Sequence, residues 1–349
     1  MTGVDPTLAR AAASQAKSGA ALTAAERLAF VHPELREATA NFLPLLETIP
    51  PLSDDVLPMM RDLPNPLAKP LDAKPEVSEK QISGLDGDPA IRVFTINASA
   101  GAKRPAILYF HGGGYVAGKA EGDLSDVQVL ARELDCCIVV PDYRLAPETR
   151  FPGPVRDAYA ALAWMHGNAD AIGIDRSRIA VMGRSAGGGL AAMLTDMVRR
   201  RAQFEIVLQV LLYPMLDDRT GSVRAMPAHV EGIMWSSDQN RFGWRSLLGV
   251  EPGSASVPQG AVPGRYEDLK GMPPAWIGVG AIDLFFDESV DYARRLADTG
   301  IWTELNVVPA SWHGFDMALP DLRISRAFRH SYTDALRFAF SGQLARSPK

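Results

Sequence analysis

Between about residues 90 and 308, short apolar runs alternate with stretches of helical periodicity, and no other feature narrows the possible folds as much. The runs fall at 90–96, 106–110, 136–140, 179–182, 206–213, 275–279 and 304–308, with helical patterns at 155–166, 186–200 and 287–298 among them. Short buried runs separated by helices are the signature of parallel strands joined by crossovers. The expected fold class is therefore α/β, a mostly parallel central sheet flanked by helices. With 349 residues and 47% hydrophobic side chains, the chain can bury one large core. One α/β body with a smaller covering unit satisfies the usual domain size of about 150 residues, which is a loose prior.

The rhythm stops between Pro214 and Pro273, where Met234, Trp235, Phe242 and Trp244 stand among charged residues. This reads as an insertion over one end of the sheet. Upstream, over residues 7–60, apolar residues recur at helical spacing with Pro33, Pro44, Pro50 and Pro51 as interruptions, which predicts a few short helices. The proline-rich stretch 63–75 reads as an extended linker.

Acidic residues outnumber basic ones, 41 against 36, giving a net charge of −5. That balance disfavours nucleic acid and anionic membrane surfaces as partners. No apolar run reaches the roughly 20 residues of a membrane span. Residues 1–17 lack the basic start and apolar run of a secretory signal, so a cytoplasmic location is expected. Cys136 and Cys137 are adjacent, so they cannot staple distant segments or alone complete a tetrahedral metal site. They read as small apolar residues of a buried strand.

Gly183, Arg184, Ser185, Ala186 and Gly187 fit GxSxG. The pattern alone arises by chance in roughly one chain in five to ten of this length. Its position discriminates, because it lies directly between an apolar strand and a Gly- and Ala-rich helix. So sharp a turn strains the serine and needs small neighbours where the backbone crosses itself, and the hydroxyl then projects freely. A second motif, His111-Gly112-Gly113-Gly114, follows the apolar run 106–110 and should occur by chance in well under about one in a hundred such chains. Backbone amides can reach a developing oxyanion only where side chains do not obstruct them, so Gly113 and Gly114, with Ala186 at the helix start, form the candidate oxyanion site.

Serine needs a base, and the base needs an orienting carboxylate. Of six histidines, His111 belongs to the glycine loop, His32 and His229 to the covering segments, and His166 and His330 to helical stretches. His313 remains, in the loop after the run 304–308. Asp283 follows the run 275–279 at a strand's carboxyl edge, where α/β sheets place functional groups. Asp287 and Glu288 come one turn later and read as first-turn helix residues favoured by the helix dipole. Ser185, Asp283 and His313 then stand in the order nucleophile, acid, base.

Together with PDYRLAPE from Pro141, FPGPVRDAYAALAW from Phe151, DLFFDES from Asp283 and HGFD from His313, these motifs resemble the bacterial hormone-sensitive-lipase-like branch of the α/β-hydrolase esterases, over about residues 105–316. The resemblance implies an α/β-hydrolase fold with a helical cap. Residues 1–60 would contribute to the cap, 61–88 would be a linker, 89–214 and 251–349 the catalytic body, and 215–250 the cap insertion. It also implies a serine carboxylesterase acting on short to medium acyl esters, without metal or organic cofactor, and a homodimer, since members often pair. Tyr115, Met234, Trp235, Phe242 and Trp244 are the candidate lining of an acyl or alcohol pocket. Tyr143, Arg144 and Glu148 read as structural. Two residues depart from the family pattern, Arg184 before the nucleophile and Leu284 after the acid. A guanidinium facing the imidazolium would oppose catalysis, so Arg184 is expected to turn away and bind a carboxylate. The rival readings are a binding protein on a retired hydrolase scaffold and a deacetylase of an acetylated natural product.

Overall fold

In the computed structural model, which describes residues 22–46, 48–63 and 69–344, eight strands form one sheet. They are β1 (Val77–Ile82), β2 (Ile91–Ile96), β3 (Arg104–Phe110), β4 (Cys137–Pro141), β5 (Ile174–Arg184), β6 (Gln209–Leu212), β7 (Ala275–Gly280) and β8 (Thr303–Val308). Their spatial order is β1-β2-β4-β3-β5-β6-β7-β8. β1 and β2 are antiparallel to their neighbours, and every pairing from β4 to β8 is parallel. Sequence expectations for residues 1–21 lie outside the described residues.

The apolar runs become strands because helices cover both faces. Gly153–Gly167, Ala186–Arg201 and Phe286–Asp298 pack on one side, and Leu124–Leu134 and Arg323–Phe340 on the other. β4, β6 and β7 are accordingly buried along their whole length. Both cysteines are buried here, and burial pushes the Cys137 thiol up to about 12. β1 has no counterpart among the apolar runs and falls inside 61–88, the segment read as linker. Its sequence VSEKQI carries two charges and buries only Ile82. An edge strand needs hydrogen bonds from one neighbour but no continuous apolar face, so hydrophobic periodicity does not reveal it. The run 206–213 is strand only over Gln209–Leu212, where β5 and β7 both pair with it.

Over the carboxyl ends of the parallel strands lies a helical layer. Ser237–Leu248 starts at a capping box formed by Ser236 and Gln239 and stops at Gly249 in the left-handed conformation. Ala24–Phe30 opens on a second capping box, Thr23 with Glu26. Phe30 stacks on His229 at 5.0 Å, which joins the N-terminal helices to the insertion. The helix Pro33–Leu46 grips the loop after β8: Trp312 Nε1 donates to Thr39 Oγ1 at 3.0 Å, Phe42 meets the Trp312 ring edge-on, and His32 N donates to Ala310 O at 2.7 Å. Among the described residues no helix is long and apolar enough to cross a membrane.

Candidate active site

One residue separates β5 from the helix Ala186–Arg201. That residue, Ser185, has φ 55° and ψ −123°. A non-glycine residue held there stores roughly 1–3 kcal/mol of strain, so the surroundings must enforce it. Ser185 N donates to Leu212 O at 2.9 Å, while Ser185 O accepts from Gly189 N and Met215 N at 3.1 and 3.0 Å. Glycine is required on both sides. A methyl group on Gly183 would lie 2.2 Å from Gly187 O, and one on Gly187 would lie 2.2 Å from Phe110 O.

The loops after β5, β7 and β8 converge. His313 Nε2 is 3.0 Å from Ser185 Oγ, and His313 Nδ1 is 2.9 Å from Asp283 Oδ2. Asp283 Oδ1 accepts from Phe285 N at 2.9 Å, and Asp283 is only 1% exposed. A carboxylate only accepts, so Nδ1 carries the hydrogen and Nε2 offers its lone pair to the serine hydroxyl. Tyr213 and Phe285 meet the imidazole edge-on at 4.8 and 5.0 Å and fix its plane. The other histidines lie elsewhere: His32 Nδ1 accepts from Glu34 N, and His166 stacks on Phe204.

The glycine loop follows β3 beside the serine. A methyl group on Gly112 would lie 3.3 Å from Ser185 Cβ. Gly113 and Gly114 take φ 120° and 61°, and the Gly113, Gly114 and Ala186 amides donate to no backbone acceptor among the described residues. His111 anchors the loop. Its ring stacks on Tyr143 at 4.3 Å, Tyr143 Oη donates to His111 O at 2.8 Å, and burial pushes the imidazole below the usual histidine range. Arg144 bonds Asp157 through its backbone and guanidinium, and Glu148 receives Arg61, which also donates to Val116 O at 2.7 Å.

The five candidate pocket residues separate into two groups. Tyr115 and Trp244 have no exposed surface. Their rings pack at 5.2 Å, and Tyr115 Oη donates to Met215 O at 2.8 Å. As members of the close-packed seam between insertion and body, neither forms an open pocket wall, which corrects the expectation for these two. Met234, Trp235 and Phe242 are half-buried. Trp235 comes to the glycine loop: a methyl group on Gly114 would lie 2.4 Å from its Cη2.

Arg184 binds carboxylates, as expected. Its Nη1 lies 3.5 Å from Asp126 Oδ2 and 3.8 Å from Asp123 Oδ1, and its guanidinium lies over the Tyr109 ring at 5.7 Å. Burial opposes its charge, but Tyr109 and these carboxylates hold it protonated well above the usual arginine range. Asp287 is exposed in the first helical turn, as read from the sequence. Glu288 differs. It is 3% exposed, accepts from Leu216 N at 2.6 Å and Asp217 N at 3.3 Å, and takes the Thr220 hydroxyl. Burial first, and then the negative Asp217, push its carboxyl well above the usual range. Its partners are some 70 positions away in the chain, and no local periodicity signals them.

A family model described as the alpha/beta hydrolase fold matches residues 107–317. Esterase LipI of Mycobacterium tuberculosis is 31% identical over 263 residues, covering 73% of this chain and 79% of its own. Carboxylesterase NlhH of the same organism is 32% identical over 257 residues, covering 71% and 79%. Among solved structures, a bacterial heroin esterase superimposes with a TM-score of 0.73 at 33% identity, over 89% of this chain and 98% of that one.

Proposed function

As a member of the hormone-sensitive-lipase-like family of α/β hydrolases, the chain is a carboxylic ester hydrolase, and we propose that it hydrolyses short to medium acyl esters through a covalent acyl-serine. The observation that carries this reading is the continuous hydrogen-bonded relay from Asp283 through His313 to Ser185 Oγ, with undonated glycine-loop amides alongside.

Ser185 Oγ attacks the ester carbonyl carbon as its proton passes to His313 Nε2, and Asp283 stabilises the resulting imidazolium. Negative charge gathers on the carbonyl oxygen, and in this reading the Gly113, Gly114 and Ala186 amides donate to it, the last strengthened by the helix dipole. When the C–O bond of the leaving group breaks, His313 returns its proton to the departing alcohol oxygen. Water then gives a proton to His313 and adds to the acyl carbon, and collapse releases the acid and restores Ser185.

Buried partners behind the relay keep the groups in place before substrate arrives, so little reorganisation is needed at the barrier. The test is hydrolysis of p-nitrophenyl acetate, butyrate and octanoate by the wild type and by Ser185→Ala. Turnover of the two shorter esters that disappears in the variant supports the reading. Near-normal turnover by Ser185→Ala would overturn it.

A further inference from the structure

The insertion reaches the glycine loop at two points. The backbone of Ser237–Leu248 approaches so closely at Gly243 that a methyl group there would lie 2.5 Å from Gly114 O. The indole of Trp235 also lies against Gly114, its Cη2 and Cζ2 at 2.4 and 2.7 Å from where a side chain would begin. Gly114 is thereby in close contact with both a helix backbone and an aromatic ring.

A run of polar contacts sets the position of that ring. Trp235 Nε1 donates to Asn240 Oδ1 at 3.3 Å, and Asn240 Nδ2 donates to Thr220 O at 2.8 Å. Thr220 Oγ1 donates to Glu288, whose carboxyl group also gathers Leu216 N and Asp217 N. Asn240, Thr220 and Glu288 are at most 3% exposed. Buried and connected, such a network holds one geometry, because any other leaves a donor or acceptor unmet. It runs from the helix that follows Asp283, through the root of the insertion, to the loop beside Ser185.

We infer that Trp235, held by Asn240, is a positioning residue for the Gly114 amide, so that the insertion is a fixed part of the oxyanion site. The inference rests on the acyl-serine reading. A donor misaimed by a fraction of an ångström loses most of its benefit at the barrier while ground-state binding barely changes. The loss therefore falls on kcat, and equally on every substrate that uses the same oxyanion position. A pocket wall behaves differently: enlarging it changes KM by an amount that depends on acyl length.

The experiment measures kcat and KM on p-nitrophenyl acetate, butyrate, hexanoate and octanoate for Trp235→Leu, Trp235→Phe and Asn240→Leu, with Tm for each. The same set is assayed for inactivation by diethyl p-nitrophenyl phosphate, whose P=O oxygen takes the oxyanion position. The expected result for Trp235→Leu and Asn240→Leu is a loss of about 10- to 100-fold in kcat. That loss is uniform across chain lengths, with KM within about twofold and inactivation slowed by the same factor. Trp235→Phe, which keeps a ring over Gly114, recovers most of the loss. Should Asn240→Leu fail to fold, the two variants at half-buried Trp235 decide the matter. A KM change that grows or shrinks with acyl length overturns the inference in favour of a pocket wall. A fall in Tm with kcat of the folded enzyme unchanged overturns it in favour of packing alone. Failure of the acyl-serine reading itself is separate, since it shows as turnover retained by Ser185→Ala.

Discussion

At the carboxyl ends of the parallel strands, backbone bonds and close crossings place the proposed nucleophile. Ser185 N is fixed on Leu212 O, Ser185 O on Gly189 N and Met215 N, and Gly187 meets the carbonyl of Phe110. In the helical layer above, side chains do this work. Trp312 is held by Thr39 and Phe42, His229 by Phe30, Trp235 by Asn240, and the root of the insertion by Glu288. A backbone-built site tolerates little sequence variation at its crossings and leaves a local motif. A side-chain-built layer can be assembled from many residue combinations, and its contacts range from Trp235 with Asn240, five positions apart, to Trp312 with Thr39, 273 apart.

The largest expected effect is at the strand ends. Asp283→Asn leaves the fold intact but lets an amide face Nδ1, so the imidazole loses both its preferred tautomer and the partner of its cation; kcat falls about 10⁴-fold. Loss of less than about tenfold would mean that Asp283 does not orient His313.

The same contrast explains what the sequence reveals. GRSAG, HGGG and the strands around them are legible because close backbone approach demands glycine and burial demands apolar runs. Asp283 and His313 follow from their places after β7 and β8. The placement of Tyr115 and Trp244 in a closed seam is not legible, since composition shows that an aromatic residue is apolar but not which surface it faces. Glu288 is likewise hidden. Its position in the first helical turn satisfies a simple electrostatic reading, while its actual partners are backbone amides brought near by the whole fold. β1 is missed because an edge strand has no buried periodicity to display.

Next in size is Arg184→Met. It leaves Asp123 and Asp126 facing a buried position without their cation, and breaking a buried pair costs about 3 kcal/mol. Thermal unfolding should therefore occur several degrees lower, with kcat of the folded enzyme within a few-fold of wild type. Unchanged Tm with collapsed kcat would place Arg184 in the reaction and erase the distinction between it and the proposed triad.

A smaller effect is expected in the covering layer. The Glu288 carboxyl sits well above its ordinary value of 4.5, so the folded chain holds a proton that the unfolded chain releases. The corresponding stability is full below about pH 4.5 and declines as pH rises toward the folded value. Glu288→Gln carries no such proton. Its Tm relative to wild type should rise with pH, by on the order of 1 kcal/mol or about 2 °C. A difference that stays flat from pH 4 to 8, or narrows, would show that Glu288 is ionised in the folded chain throughout.

The claim that three distant segments of the chain create one activated hydroxyl has a direct chemical test. The wild-type protein is treated with diethyl p-nitrophenyl phosphate and the modified peptide is identified by mass spectrometry. A single phosphoryl adduct on Ser185, absent in Ser185→Ala and formed far more slowly in His313→Ala, is the expected result. An unmodified Ser185 in a preparation that still hydrolyses esters, or an adduct on another serine that accounts for the lost activity, would contradict it.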